Sequence, residues 1–415
     1  MILSKPKTRC TLCGCEVLIK LTDFPSTPIA NQLFSSDSLP AKGQEFFPLN
    51  LTMCGECNHI QLDTLIDPAV LFGDYPYVSN SSVAMANRLE NLASGLIEEL
   101  SLEVGNFVLE IGSNDGYLLS RFKSSGMNVL GVDPAVQATD IAIGRNIPTI
   151  VDFFSSEISN EINLKYGKPN VIIANNVLAH TDNLKDIFEG ISSLMSSSTI
   201  TILEFSYVLD VYEKLLFDTI YHEHTSYHSI KPLVDFLENF GLEIFRVERF
   251  EAHGGSVRIY IQKAGSSFPV HISVAEALER ENNIGIHETS TWRGFNDRIV
   301  NLGHSISSKL LEYREQGGLI VGYGVPAKFT TLFHVLGLKE SFFDFIVDDN
   351  PLKVGKLAPG TSIEIKHSSS IPKVDWAFVF SWNYSESIVN KLSSQGRVTR
   401  AILVPLPEFK EFKLS

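Results

Sequence analysis

The sequence has no cysteine after Cys57 and no apolar run approaching the roughly 20 residues of a membrane span. The missing apolar run excludes a helical membrane protein. The missing later cysteines leave all five thiols near the N-terminus. In a reducing compartment that clustering favours metal ligation over disulfides. Basic residues are also scarce: 34 Lys and Arg against 48 Asp and Glu give a formal net charge of -14. Wrapping nucleic acid needs clustered Lys and Arg, so nucleic acid is excluded as a partner. A local basic pocket for one phosphorylated small molecule is still allowed. The first residues, "MILSKPKTRC", lack the apolar core of a signal peptide, and a cytoplasmic location is expected.

What is present is a chain of 415 residues, 44% hydrophobic and 20% charged. That is too long for one ordinary core, so two or three domains are expected. Cys10-x-x-Cys13 and Cys54-x-x-Cys57 form two pairs. Each pair can turn two thiolates inward on a tight knuckle, and two pairs complete a tetrahedron. Gly14 and Gly55 suit the turns, and Cys15 is left as a competing ligand. Four protein ligands leave no open position, so the expected Zn²⁺ holds structure and does no chemistry. The alternative is two unrelated thiol pairs.

"NFVLEIGSNDGYLLSRF" (106–122) reads as a buried strand from Phe107 to Ile111, a glycine-bracketed loop and a helix. The stretches "VLGVDPA", "NVIIANN" and "TITILEF" repeat the rhythm, with helical segments between them. "LEIFRVERF" and "GSVRIYIQ" read as a closing hairpin. This pattern predicts an α/β fold with a doubly wound parallel sheet. A polar helix pair is expected over 272–315. A second α/β unit, of Rossmann type, then begins at "GGLIVGYGVPAKFTTLF", with strands in "FFDFIVDDNP" and "DWAFVFSWN". The expected boundaries are 1–70, 71–270 and 271–415.

The loop after the first strand of the middle unit is Glu110-x-Gly112-x-x-x-Gly116, with Asn114 and Asp115 inside it. A dinucleotide fingerprint needs a middle glycine. A carboxylate at Asp115 would repel a pyrophosphate but could accept from an amino-acid ammonium. Asp133, followed by Pro134, suits two ribose hydroxyls, and Asp152 and Phe153 of "VDFF" suit an adenine. With Asn175 and Asn176 of "ANNVLAH", these residues resemble the S-adenosylmethionine loop of class I methyltransferases. The alternative is a generic doubly wound fold with another nucleotide.

Taken together, the Cys pairs with "TPIANQLF", "EIGSNDGYLL", "ANNVLAHTDNL", "FDTIYHEHTSYHS", "HGGSVRIYI", "GYGVPAK" and "VDDNPLKVGKLAPGT" resemble the C-methyltransferases of nucleotide-linked 4-keto deoxysugars. The likeness covers nearly the whole chain. It implies a zinc domain, a class I methyltransferase domain and a C-terminal Rossmann-like domain, with the sugar nucleotide between the last two. It implies a monomer that methylates the carbon beside the ketone (C3). It also implies that His224 is the base, supported by Tyr221, Glu223, His180 and either Tyr75 or Tyr77. The family continues into a segment with Trp and His, where this chain has Val78, Asn80 and Met85.

The chemistry agrees with that implication. A saturated carbon has no lone pair to attack a methyl group. Removing a proton beside a ketone creates an enolate that does, which calls for a base near neutral pKa and donors for the oxyanion. His, Tyr and Glu within four residues offer the base, a donor and an orienting group for the imidazole. A metal site at His222 and His224, or a plain polar loop, are the alternatives, and spacing alone does not choose between the two imidazoles. His222, His253, Gly322, Tyr323, Gly324, Lys328, Asp348, Asn350 and Lys353 are the expected substrate contacts. "GYGVPAK" reads equally as a phosphate-binding or a purely structural turn. An oxygen or nitrogen acceptor, or a binding protein without catalysis, are the competing functions.

Overall fold

A computed structural model describes residues 4–35, 37–38, 43–67, 70–71, 83–252 and 254–414. In the first unit β1 (Ser4–Pro6) pairs with β5 (Thr64–Ile66), and β2 (Leu18–Lys20), β3 (Leu51–Cys54) and β4 (Ile60–Leu62) form a meander. In the middle unit the strands are β6 (Phe107–Ile111), β7 (Asn128–Val132), β8 (Thr149–Ile150), β9 (Val171–Asn175), β10 (Ile200–Ser206), β12 (Leu242–Phe250) and β13 (Ser256–Lys263). They form one sheet in the order β12-β13-β10-β9-β6-β7-β8. β6 to β10 are parallel, and the hairpin β12–β13 closes one edge antiparallel to β10, as the sequence predicts.

Alternation explains the nearly unbroken apolar strands. Leu109, Ile111, Ile172, Ala174, Leu203 and Phe205 enter the core on one face. Val108, Val171, Ile173, Ile200 and Ile202 enter the core on the other. The helix Leu184–Leu194 buries Leu184, Ile187, Phe188, Ile191 and Leu194, the spacing of a single apolar stripe. The strand order reverses between β6 and β9, so their C-terminal loops flank the crevice where ligands bind in open α/β sheets.

The expected polar helix pair is Ile272–Ile284 and Thr289–Glu315. Glu281 on the first helix is buried and accepts from Tyr207 Oη at 2.7 Å and from the amides of Ile230 and Lys231 at 2.6 and 3.1 Å. A carboxylate at the N-terminus of the helix Ile230–Glu238 is favoured by the helix dipole. In the last unit β14 (Ile320–Tyr323), β15 (Phe345–Asp348), β16 (Ile365–His367), β17 (Val374–Val379), β18 (Val398–Val404) and β19 (Lys410–Lys413) pair in the order β16-β15-β14-β17-β18-β19. All but β19 run parallel, a Rossmann arrangement with its switch point between β14 and β17.

One element has no counterpart in the sequence reading. β11 (Ser226–Tyr227) leaves the middle unit and pairs with β4, joining the sheet of the first unit.

Candidate active site

The sulfurs of Cys10, Cys13, Cys54 and Cys57 all lie within 4.8 Å of one another. The contacts Cys10–Cys57 and Cys13–Cys54 are 3.5 and 3.4 Å. Zn–S bonds near 2.3 Å, set tetrahedrally, need roughly this spacing, so the donor set fits Zn²⁺. Cys54 ends β3, and the amides of Glu56 and Asn58 turn back onto its sulfur and carbonyl. Cys15 is outside the cluster, with its sulfur accepting from the Val17 amide. The buried ammonium of Lys7 pairs with Asp182, two residues beyond His180.

At the C-terminal edge of the central sheet, Gly112, Asn114 and Gly116 all take positive φ. A Cβ on Gly112 would collide with Val177, so glycine lets the two switch-point loops approach closely. Asp133 follows β7 and accepts from the amides of Asn114 and Ala135, each at 2.8 Å, while burial raises its pKa. Glu110 is buried beside Asp133 and Asp115, and burial holds its pKa well above the usual carboxylate range. Glu110 Oε2, Ser113 Oγ and both amide atoms of Asn175 are buried with no hydrogen-bond partner among the described residues. Unsatisfied buried polar groups concentrated at a switch point fit a polar cofactor that would complete them. Pro134, Asp152 and Phe153 are exposed nearby in sequence, with Phe153 at 59%. Asn176 adopts φ 56°, and its amide donates to the Glu204 carbonyl at 2.7 Å.

Asp115 corrects the sequence reading. Its side chain is wholly buried and ion-paired with Arg145 at 2.8 Å. Arg145 also donates to the Asp115 carbonyl at 2.7 Å. The carboxylate is committed to holding its own loop and is not presented to a ligand ammonium.

The run from Tyr221 to His224 follows a short turn, Phe217–Thr219. His224 Nδ1 lies 2.8 Å from the Thr219 carbonyl, and Nε2 lies 2.9 Å from the Tyr221 hydroxyl. A carbonyl only accepts, so in the neutral ring Nδ1 carries the hydrogen and Nε2 presents its lone pair. The sequence reading gave the orienting role to Glu223; the Thr219 carbonyl holds it instead. Glu223 is buried and accepts from Asn31 Nδ2 at 3.4 Å. His180, in the loop after β9, meets His224 edge-on at 4.9 Å between ring centroids. Burial lowers its pKa to about 4, so it is neutral near pH 7.

His222 also departs from expectation. It has no exposed surface, donates from Nε2 to the Pro48 carbonyl at 3.1 Å and packs on Phe47. It braces the first unit and does not line a cleft. The same unit holds the exit of the run. Leu62 N donates to the Thr225 carbonyl at 3.0 Å, and the His59 ring stacks on His228 at 5.3 Å.

In the last unit a Cβ on Gly322 would meet Phe380 at 2.8 Å, and one on Gly324 would collide with Ser381. Both glycines are therefore required by packing alone. Asp348 accepts from the amides of Val325 and Asn350 at 2.7 and 2.8 Å, and Lys353 donates to the Val325 carbonyl at 2.6 Å. Tyr323 Oη donates to Asp349 at 2.8 Å and accepts from Lys391 at 2.8 Å. These groups secure their own loops rather than offering themselves to a phosphate. Lys328 sits over the Trp382 ring, 4.9 Å from its centroid, and shares its charge with buried Asp218. Tyr75, Tyr77 and His253 lie outside the described residues. Arg258 is tied to Glu204 at 2.5 and 2.7 Å and to Glu248 at 3.1 Å.

Sequence reasoning missed Thr219, Asn31, Arg145, Asp218 and Trp382. Thr219 acts through its backbone, which no side-chain pattern encodes. Asn31 stands in the quoted "TPIANQLF", and Asp218 in "FDTIYHEH".

Residues 10–72 match a zinc binding domain family, 85–247 a methyltransferase domain family, and 251–407 the C-methyltransferase C-terminal domain family. The C-methyltransferase NovU of Streptomyces niveus is 31% identical over 412 residues, covering 97% of this chain and 96% of that protein. An S-adenosylmethionine-dependent methyltransferase from Clostridium acetobutylicum overlaps 48% of this chain and 96% of its own, with 13% identity and a TM-score of 0.36. Magnesium protoporphyrin IX methyltransferase from Synechocystis PCC 6803 overlaps 44% and 81%, with 16% identity and a TM-score of 0.33. Those two loose overlaps place no atom of this chain. The three domain matches and the end-to-end likeness to NovU identify an S-adenosylmethionine-dependent enzyme with a structural zinc, and the chain belongs to the C-methyltransferase family.

Proposed function

We propose that this enzyme methylates a nucleotide-linked 4-keto deoxysugar at the carbon beside the ketone, with His224 as the base. One observation carries the reading: Nδ1 of His224 is fixed by the Thr219 carbonyl, which leaves the Nε2 lone pair facing Tyr221. Nε2 takes the α proton, the C–H electrons move into the enolate, and the Tyr221 hydroxyl is freed to donate to the developing oxyanion. Neutral His180 adds no second positive charge beside the imidazolium that forms. S-adenosylmethionine, when bound, supplies the electrophilic methyl group.

For that cofactor we assign Asp133 to the ribose hydroxyls, the loop Gly112 to Gly116 with Glu110 and Asn175 to the amino-acid end, and Asp152 with Phe153 to the adenine. The unsatisfied polar atoms of Glu110 and Asn175 support this assignment. The nucleotide of the substrate is assigned to the switch point beside β14.

The test is a panel of 4-keto sugar nucleotides incubated with enzyme and S-adenosylmethionine and followed by mass spectrometry. A gain of one methyl is expected, with hydrogen at the methylated carbon exchanging into deuterated water without turnover. His224→Asn should abolish both. Methyl transfer to oxygen or nitrogen, or full exchange in His224→Asn, would overturn the reading.

A further inference from the structure

We infer that Lys328 and Trp382 of the last unit are positioning residues for the base: together they clamp Asp218, and so fix the turn whose next carbonyl orients His224. The inference rests on His224 being the base. Its geometry is local: only Oδ2 of Asp218 takes a hydrogen bond, and Oδ1 is buried with no hydrogen-bond partner among the described residues. Asp218 has no exposed surface, and its Oδ2 accepts from Trp382 Nε1 at 2.5 Å. The Lys328 ammonium lies over the same indole, 4.9 Å from the centroid. One residue beyond Asp218 is Thr219, and its carbonyl holds His224 Nδ1 at 2.8 Å. The residue after that, Ile220, is held by the same helix, because Thr331 Oγ1 donates to its carbonyl at 2.6 Å. Lys328 and Thr331 are three residues apart and share a helix face. The last unit therefore grips the chain on both sides of Thr219.

The electrostatics agree with the geometry. Burial raises the pKa of Asp218 and lowers that of Lys328, and each opposes the other's shift through its charge. A buried pair of this kind is costly to break, because either partner alone is an uncompensated charge. The expectation that Lys328 offers a free point charge to a phosphate is replaced by a fixed role inside the protein. A Cβ on Gly254 would meet Trp382 at 3.1 Å. Gly254, in the loop after β12, therefore makes room for the indole to reach the turn.

Nuclear magnetic resonance of the zinc-replete full chain, with ¹⁵N-labelled histidine, tests the clamp without any substrate. Absence of a signal in His224→Asn assigns the ring. In the wild type the Nδ1–H form of His224 should dominate at pH 7.5. Trp382→Phe keeps the ring but removes the N–H donor, and Lys328→Met keeps the length but removes the charge. In both, the Nδ1–H form should lose its dominance. The titration midpoint of His224 should fall by about half a unit or more, since a carbonyl acceptor favours the imidazolium. An unchanged tautomer and midpoint in folded Trp382→Phe would overturn the clamp, even if Lys328→Met failed to fold. A chain that passes this test but methylates no sugar nucleotide would instead overturn the substrate reading.

Discussion

The Thr219 carbonyl and the His224 imidazole form a fixed pair, 2.8 Å apart, in which a backbone oxygen does the work a carboxylate does in a catalytic triad. A neutral acceptor orients the ring without adding negative charge beside it. The other neighbour that bears on the basicity of Nε2 is Tyr221, at 2.9 Å. A donor on the lone pair stabilises the neutral ring and lowers its pKa. Tyr221→Phe should move the acidic limb of the pH–rate profile upward and lower kcat by about 10- to 100-fold, through loss of an oxyanion donor. Rate measurements from pH 5.5 to 9 decide it; a phenyl variant with both quantities unchanged would leave Tyr221 a packing residue.

The zinc domain reaches the base through one ladder. Cys54 ends β3, β3 pairs with β4, and β4 pairs with β11 only two residues after His224. Structural zinc is worth about 10–16 kcal/mol in small zinc-finger peptides. Cys54→Ser should lose its zinc and reduce turnover by at least about 100-fold. Its affinity for S-adenosylmethionine, measured calorimetrically, should stay within a few-fold. The reason is that, among the described residues, the strands before Gly112 and Asp133 pair with one another and with β8 and β9, not with the first unit. Turnover that survives loss of the metal would separate the zinc from the site.

The same contrast explains what the sequence could show. The Cys pairs, the Gly112 to Gly116 loop and the strands that flank it are local patterns, and local chemistry sets them. β11 is two residues long and its partner lies more than 160 residues earlier, so no periodicity announces it. "EIGSNDG" places a carboxylate in the loop, but the direction of Asp115 is decided by Arg145, thirty residues on. His222 and His224 stand two apart and look alike in sequence. Only the packed first unit shows that one holds Pro48 while the other faces Tyr221.

Buried histidines make the fold sensitive to acid. Burial lowers His180, His228 and His287 to about 4 each. The unfolded chain takes up these protons near pH 6.5, while the folded chain resists until about pH 4. The unfolded state thus binds more protons throughout that window, and stability falls as pH falls. At pH 5 each ring costs about 2 kcal/mol relative to pH 8, against a total of roughly 5–15 kcal/mol for a typical domain. Glu110 and Asp218 shift the opposite way: burial raises them, so the folded chain takes up their protons at higher pH than the unfolded chain does, and they offset part of the histidine loss as pH falls. Urea unfolding of the holoprotein should therefore show a midpoint that drops between pH 7 and 5, by less than the histidines alone would give. His228 stacks on His59 and meets Phe205 edge-on, so His228→Phe keeps an aromatic ring there and removes one of these protons. Its slope against pH should be measurably shallower; an unaltered slope would show that His228 is already charged in the folded protein.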